Sequence, residues 1–198
     1  MILHASTSNA GKMREFLAAC EQTGVHDISI QPLLGLAGIA SPAEEGDTFE
    51  ENARRKAIYY SQYTTEIVFA DDSGLEVDAL HGDPGVHSAR YAGEKATDAE
   101  NNGRLLANMQ GQTARQGRFV CVIALARQGK ILLVVRGVVE GEILNALHGH
   151  SGFGYDPLFF YPPKNCSFGE LSSEEQFTVS HRGQAVRKML QLLAAGSV

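Results

Sequence analysis

Two adjacent carboxylates, Asp71 and Asp72, follow the apolar run Ile67-Val68-Phe69-Ala70 and precede Ser73-Gly74. Neighbouring carboxylates stay ionised together only where water, a basic side chain or a cation compensates them, and a divalent cation is one such partner. An apolar run that stops at acids and a Ser-Gly reads as a buried strand delivering them to the rim of a sheet, where chemistry collects. An isolated Asp-Asp pair is more often a solvated turn. Here Gly82, Pro84 and Gly85 follow closely, then Arg90, whose planar fork can hold two phosphate oxygens.

A second candidate is Thr7-Ser8-Asn9-Ala10-Gly11-Lys12. It lies between a predicted strand, Ile2 to Ser6, and a predicted helix, Met13 to Cys20, whose Met13, Phe16, Leu17 and Cys20 share one face. A strand, a short polar loop and a helix starting at lysine aim backbone N–H groups and the helix dipole at an anion. The loop is not a Walker A motif, since Ser6 replaces its first glycine and Met13 its Ser or Thr. Alone it reads more readily as a helix N-cap.

Acidic residues recur at Glu44-Glu45, ahead of a helix predicted to start near Thr48, where Thr48 and Glu51 have capping-box spacing. The pair is either a lead-in favoured by the helix dipole or the source of a carboxylate that joins Asp71 and Asp72 at a magnesium ion. Lys56, two turns on, reaches phosphate or solvent. Further along, the glycines of Ser151-Gly152-Phe153-Gly154-Tyr155-Asp156-Pro157 would expose Phe153, whose ring can stack on a purine, unless it is a core residue between turns. His148 and His150 lack a second pair of ligands and make a poor metal site. His181 and Arg182 open the last helix against its dipole, which a ligand accepting hydrogen bonds would explain.

The elements that must position these groups alternate in type. A strand over Ile28 to Leu34 precedes the helix from Thr48. Another helix starts at Thr97, with Glu100 at capping-box spacing and Leu105, Leu106 and Met109 on its apolar face. Phe119 to Ala126 and Ile131 to Val139, joined by Arg127-Gln128-Gly129-Lys130, predict an antiparallel hairpin and hence a mixed sheet. The last helix is expected to begin near Ser180, which can cap it, and to bury Val186, Met189, Leu190 and Leu193.

With 198 residues, 43% hydrophobic and 20% charged, the chain is expected to form a single domain over 1–198. Lys and Arg total 17 against 23 Asp and Glu, a net charge of −6, which argues against a general nucleic-acid or anionic-membrane binder. Any phosphate site must then be a local basic pocket. Cys20, Cys121 and Cys166 are odd in number and far apart, so neither disulfides nor a zinc cluster is indicated, and a reducing cytoplasm is expected. No signal peptide or membrane span is legible.

Taken together, these motifs resemble the noncanonical purine nucleoside triphosphate pyrophosphatases, the inosine/xanthosine triphosphatase family. The matching segments are Thr7 to Lys12, Glu45-Gly46-Asp47-Thr48-Phe49-Glu50-Glu51-Asn52-Ala53, Ala70 to Val77, Pro84 to Tyr91, Gly152 to Pro157 and Ser180-His181-Arg182-Gly183. The resemblance implies an α/β fold with a mixed, elongated central sheet flanked by helices, two lobes with a cleft between them, and a homodimer. It also implies magnesium-dependent hydrolysis of ITP, dITP and XTP to monophosphate and pyrophosphate.

By the same resemblance, Asp72 is the proton acceptor and a metal carboxylate, and Glu45 the second metal position. Thr7, Ser8, Asn9, Ala10, Gly11, Lys12 and Ser73 contact the nucleotide, while Phe153, Gly154, Tyr155, Asp156, His181 and Arg182 recognise the base. Lys56 and Arg90 are further candidates for phosphate. A 6-oxo purine offers an acceptor where adenine has an amino donor, so donors at His181 and Arg182 favour the oxo base.

Two departures stand out. Gln176 occupies the place where such proteins commonly carry a lysine, and His87 replaces a tyrosine. Gln still donates a hydrogen bond but brings no charge. A pyrophosphatase for modified or pyrimidine nucleotides, or a nucleotide sensor without turnover, are the competing readings.

Overall fold

The apolar runs and amphipathic stretches of the sequence resolve, in a computed structural model that describes residues 1–25 and 27–196, into seven strands and five helices. The strands are β1 (Ile2–Ala5), β2 (Ser29–Pro32), β3 (Ile67–Val77), β4 (Gln116–Arg127), β5 (Lys130–Ile143), β6 (Phe159–Tyr161) and β7 (Cys166–Ser167). They hydrogen-bond in the order β2-β1-β3-β4-β5-β6-β7. β1 is parallel to β2 and β3, while β6 is antiparallel to β5 and β7, so the sheet is mixed as the sequence implies. The β4–β5 turn has Gln128 and Gly129 at φ 48° and 79°, the doubly left-handed geometry that matches strand twist in a two-residue hairpin.

The helices are α1 (Ala10–Gln22), α2 (Phe49–Tyr60), α3 (Asp98–Asn108), α4 (Ser173–Val179) and α5 (His181–Ala194). α1 starts earlier than its apolar spacing predicts, because Asn9 caps it by accepting the Lys12 amide at 3.0 Å. Ala10, Gly11 and Lys12 therefore form its first turn. Thr48 caps α2 as expected, but Glu51 returns its carboxylate to the Asp47 amide, one residue before the cap. At Thr97 both halves of the capping box form. Ser180 ends α4 as its C-cap.

The chain divides into two compact units. One comprises Met1–Asp72, Cys121–Gly137 and His181–Val198; the other comprises Ser73–Val120 and Val138–Ser180. In the first unit, Phe16 and Ala19 of α1 and Ala185, Val186, Met189, Leu190 and Leu193 of α5 pack on Leu3, Ala5, Phe69, Ile123 and Leu125. This is the face of α5 that its spacing predicts. Val68, one residue from Phe69, packs instead with Tyr60 and Leu33. Successive β3 side chains thus serve opposite faces. In the second unit, Leu105 and Met109 of α3 join Leu75, Val77, Phe119, Val139, Ile143, Phe159 and Phe168.

One expectation is corrected. β3 does not stop at the acidic pair but continues through Asp71, Asp72, Ser73 and Gly74 to Val77. The carboxylates stay inside a buried strand because each meets a lysine from a neighbouring helix. Gly74 is required at this point: a Cβ there would lie 2.2 Å from Ser88 Oγ, which accepts the Leu75 amide at 2.9 Å. The cysteines are free. Among the described residues no helix is long and apolar enough to cross a membrane.

Gly137 of β5 lets the first turn of α5 lie on bare backbone, since a Cβ would fall 2.1 Å from His181 O and 2.7 Å from Ala185 N. Neither backbone atom can swing away. Gly137→Ala is expected to destabilise the fold by about 2 kcal/mol. Gly103→Ala, in α3 where a Cβ meets nothing, should be neutral or stabilise by up to about 1 kcal/mol. Urea unfolding of both variants measures the contrast.

Candidate active site

The first unit holds the acids and the anion-binding loop. After β1, Ser6 donates its hydroxyl to Phe69 O at 3.0 Å, and Thr7 Oγ1 accepts the Asn9 amide at 3.2 Å. These bonds aim the start of α1, whose leading amides have no intrahelical acceptor, away from the sheet. A cavity of about 550 Å³ opens there. Ser6 to Asn9, Lys12, Glu44, Lys56 and Asp71 line one side, and Leu33, Leu36, Ile39 and Tyr60 the other. Hydroxyls and the start of a helix lie on this lining beside two ammonium groups that are each paired with a carboxylate.

Strand alternation sends the two aspartates opposite ways. Asp71 points to α1, where Lys12 Nζ lies 2.8 Å from Oδ2. Asp72 points to α2, where Lys56 Nζ lies 2.8 Å from Oδ1 and Asn52 Nδ2 donates to Oδ2 at 3.2 Å. Lys56 also reaches Glu44 Oε1 at 2.9 Å. Asn52 is buried and ties the acid to the loop ahead of α2, accepting the Gly46 amide at 2.8 Å.

The two neighbours are driven apart in acidity. Burial alone would raise the Asp71 carboxyl, but the Lys12 ammonium, with Lys56 and Arg182, holds it below the ordinary carboxylate range. Burial raises Asp72 above that range; Lys56 and, less strongly, Lys12 oppose it only in part, and Glu44 adds a like charge. Burial would lower Lys56, yet Asp72, Asp71 and Glu44 outweigh it and keep the ammonium protonated. Adjacent carboxylates pushed in opposite directions are a pattern of acid–base sites. Asp71 is thus held toward its anion, and Asp72 is shifted toward protonation.

Around Lys56, carboxylates outnumber cations, and every candidate ligand is a hard oxygen. That donor set fits magnesium, which uses one or two carboxylates and completes its shell with water and substrate phosphate. No group of three or more His, Cys, Asp or Glu able to hold a metal exists among the described residues. The acid that shares Lys56 with Asp72 is Glu44, and both Glu44 and Glu45 are exposed. The spacing of the acidic segment does not reveal which of two adjacent glutamates meets the lysine.

His181 and Arg182, in the first turn of α5, are both buried. Burial, with Arg182 and Lys12 adding positive charge, pushes the His181 imidazole well below its usual pKa, so it is neutral. Arg182 Nη1 pairs with Glu15 Oε1 at 2.9 Å. Glu15 lies three residues after Lys12 on the same face of α1.

The second unit holds the aromatic loop. Phe153 and Gly154 are half-buried, and their amides donate to Asp156 Oδ2 at 2.9 Å and Asp98 Oδ2 at 2.7 Å. Asn102 donates to Gly154 O at 2.8 Å. Gln176, buried on α4, donates to Asp156 Oδ2 at 2.8 Å. Tyr155 turns into the core and donates its hydroxyl to Ser88 O at 2.8 Å, so it anchors the loop. Arg90, half-buried, lies 3.6 Å from Glu94. Ser73 follows the acids in β3, and His87 is exposed.

Several of these residues escape a reading by type. Asn52, Asn102 and Asp98 sit in helices where they read as polar faces, and Glu15 as one more surface acid. The available signal is weak: Asn is a poor helix interior residue unless its amide has a local task.

A mixed seven-stranded sheet with helices, a capped helix start lining a cavity and two lysine-paired aspartates in one strand place the chain among α/β proteins with a polar site beside the sheet. The chain belongs to the Ham1 family, whose profile matches residues 3–192. It is 43% identical over 195 residues to a dITP/XTP pyrophosphatase of Desulforamulus reducens, covering 98% of this chain and 96% of that protein. A dITP/XTP pyrophosphatase of Lactobacillus acidophilus is 45% identical over 194 residues, covering 96% of each. The structure of the Staphylococcus aureus Ham1 protein superposes with a TM-score of 0.87 at 36% identity, over 99% of this chain and 100% of that one.

The depressed acidity of Asp71 gives a stability test in the metal-free protein. A carboxyl whose folded pKa lies below its unfolded value stabilises the fold fully above the unfolded pKa of about 4 and loses that contribution as pH falls through the folded value. Asp71→Asn should cost about 3 kcal/mol at neutral pH by leaving Lys12 without its counter-ion. The gap between wild type and variant should narrow on acidification below about pH 4. Urea unfolding across pH reads it.

Proposed function

We propose that the chain hydrolyses noncanonical purine nucleoside triphosphates, ITP, dITP and XTP, to the monophosphate and pyrophosphate, clearing them from the nucleotide pool. What carries this reading is the Asp72–Lys56–Glu44 cluster beside the anion-binding start of α1, in a chain of the Ham1 family whose near relatives are named dITP/XTP pyrophosphatases. The resemblance also points to a homodimer, and the cysteines to a reducing cytoplasm.

The residues divide the work. Thr7, Ser8, Asn9 and the Ala10 and Gly11 amides bind phosphate oxygens, with Lys12 as the charge. Lys12 is kept at its post by Asp71, and in turn meets the leaving pyrophosphate. Asp72, raised by burial, orients and deprotonates the water that attacks the α-phosphorus. Asn52 and Lys56 hold its two oxygens and so fix its direction. Asp72, with an acid of the Glu44–Glu45 pair, would hold magnesium, which supplies charge neutralisation to the phosphate oxygens. Ser73 and Arg90 are further phosphate contacts.

On the base side, Phe153 offers its ring for stacking, and Asp156 with Gln176 shapes the loop that carries it. His181 and Arg182 supply hydrogen bonds that a 6-oxo purine satisfies and adenine does not. Buried donors left unpaired can discriminate by roughly 10⁴-fold.

Pyrophosphate release from ITP, dITP, XTP, GTP, ATP and dTTP, with and without magnesium, tests the proposal. The first three should be strongly preferred and require the metal, and Asp72→Asn should lose at least about 10²-fold in kcat. Equal rates with ATP refute the selectivity. Preference for dTTP points to a pyrimidine enzyme, and binding of ITP without turnover to a sensor.

A further inference from the structure

The first unit buries a hydroxyl that its own packing does not use. Tyr60, the last residue of α2, lines the cavity at the start of α1 together with Leu33, Leu36 and Ile39, and is only 5% exposed. Its ring packs with Leu33 and Val68 and meets the Tyr59 ring edge-on at 5.2 Å. Its hydroxyl has no hydrogen-bond partner among the described residues. A buried tyrosine ordinarily finds one. Tyr155 of the second unit donates to Ser88 O at 2.8 Å, and the Tyr59 and Tyr63 hydroxyls pair at 3.1 Å. Tyr60 departs from that pattern, and a buried hydroxyl without a partner is costly to keep.

Its place on α2 limits what the hydroxyl can meet. Asn52, Lys56 and Tyr60 are spaced four apart, so they follow one another along one face of the helix, with neighbouring Cβ atoms about 5–6 Å apart. The first two hold Asp72, at 3.2 and 2.8 Å. Tyr60 comes one turn beyond the lysine, on the same cavity. Other donors on that lining are already engaged: Lys12 with Asp71, Lys56 with Asp72 and Glu44, and the Ser6 hydroxyl with Phe69 O. The phenol is a further donor, set among side chains that offer it no acceptor. In such apolar surroundings a single directed bond is strongest to an anionic oxygen.

We propose that Tyr60 is a further substrate-binding residue: its hydroxyl donates to an oxygen of the terminal phosphates, the part of the triphosphate that leaves as pyrophosphate. An anion drawn to Lys56 is one helical turn from Tyr60, and the apolar side chains around the phenol keep water from competing for the bond. Tyr60 thus recognises the end of the phosphate chain and takes no part in choosing the base. The inference rests on the pyrophosphatase reading and names a group that holds the departing product.

Calorimetric binding of inorganic pyrophosphate and of IMP in the presence of magnesium, beside kcat and KM for ITP, tests it in wild type, Tyr60→Phe and Tyr63→Phe. Tyr60→Phe keeps the ring and removes only the oxygen. It should weaken pyrophosphate by about tenfold or more and raise KM for ITP, as loss of a bond to a charged acceptor does, while IMP, which lacks the terminal phosphates, stays within about twofold. Because the hydroxyl has no protein partner to lose, the urea midpoint should not fall. Tyr63→Phe, whose hydroxyl meets Tyr59 and which lines a different cavity, should leave pyrophosphate binding unchanged. If Tyr60→Phe does not fold, Tyr60→Met replaces it.

Pyrophosphate bound equally well by wild type and Tyr60→Phe, or not bound by wild type at all, overturns the proposal. So does a loss that pyrophosphate and IMP share, or one that comes with a lower urea midpoint, since a hydroxyl that only holds the fold would act that way. If wild type hydrolyses ITP and Tyr60→Phe matches it in KM and in pyrophosphate binding, the contact fails and the pyrophosphatase reading stands. If wild type binds pyrophosphate but hydrolyses no triphosphate, that reading fails, and the contact is still decided by the binding arm.

Discussion

The structure depends on how β3 carries two adjacent carboxylates through a buried region. Each would be costly alone, and side by side they repel. Strand alternation separates them, giving Asp71 to Lys12 on α1 and Asp72 to Lys56 on α2. The same two ion pairs tie helices on opposite faces of the sheet to one strand. They also place both lysines where they line the cavity at the start of α1.

The pairing is uneven, and chemistry follows from that. Asp71 sits among more positive than negative neighbours and stays ionised. Asp72 shares one ammonium with Glu44 and is left needing further positive charge. Two adjacent acids of one strand, both hydrogen-bonded, thus have their proton affinities shifted in opposite directions. Asn52 extends the arrangement to the loop before α2 through Gly46, so the acidic segment is fixed by its neighbours.

In the second unit the aromatic loop is held by hydrogen bonds. It hangs from Asp156, Asp98, Asn102 and Gln176, with Tyr155 buried beneath as an anchor. Gly152 and Gly154, at φ 76° and 62°, allow the turns that put consecutive amides onto different carboxylates. A loop held by so many directed bonds keeps its half-buried Phe153 in place.

Periodicity and capping chemistry in the sequence were enough to determine the helices, the hairpin, the mixed sheet and the buried face of α5, because these patterns are local. Motif order was enough to determine the family. Local signals could not decide that β3 continues past Asp71, since that depends on lysines 59 residues before Asp71 in α1 and 16 before Asp72 in α2. Nor could they show that Glu44 is the partner of Lys56, that Arg182 pairs with Glu15 across 167 residues, or that Gln176 closes on Asp156. Charge type is written in the chain, but which opposite charge it meets is settled only when distant elements pack, because burial makes each unpaired group too costly to leave alone.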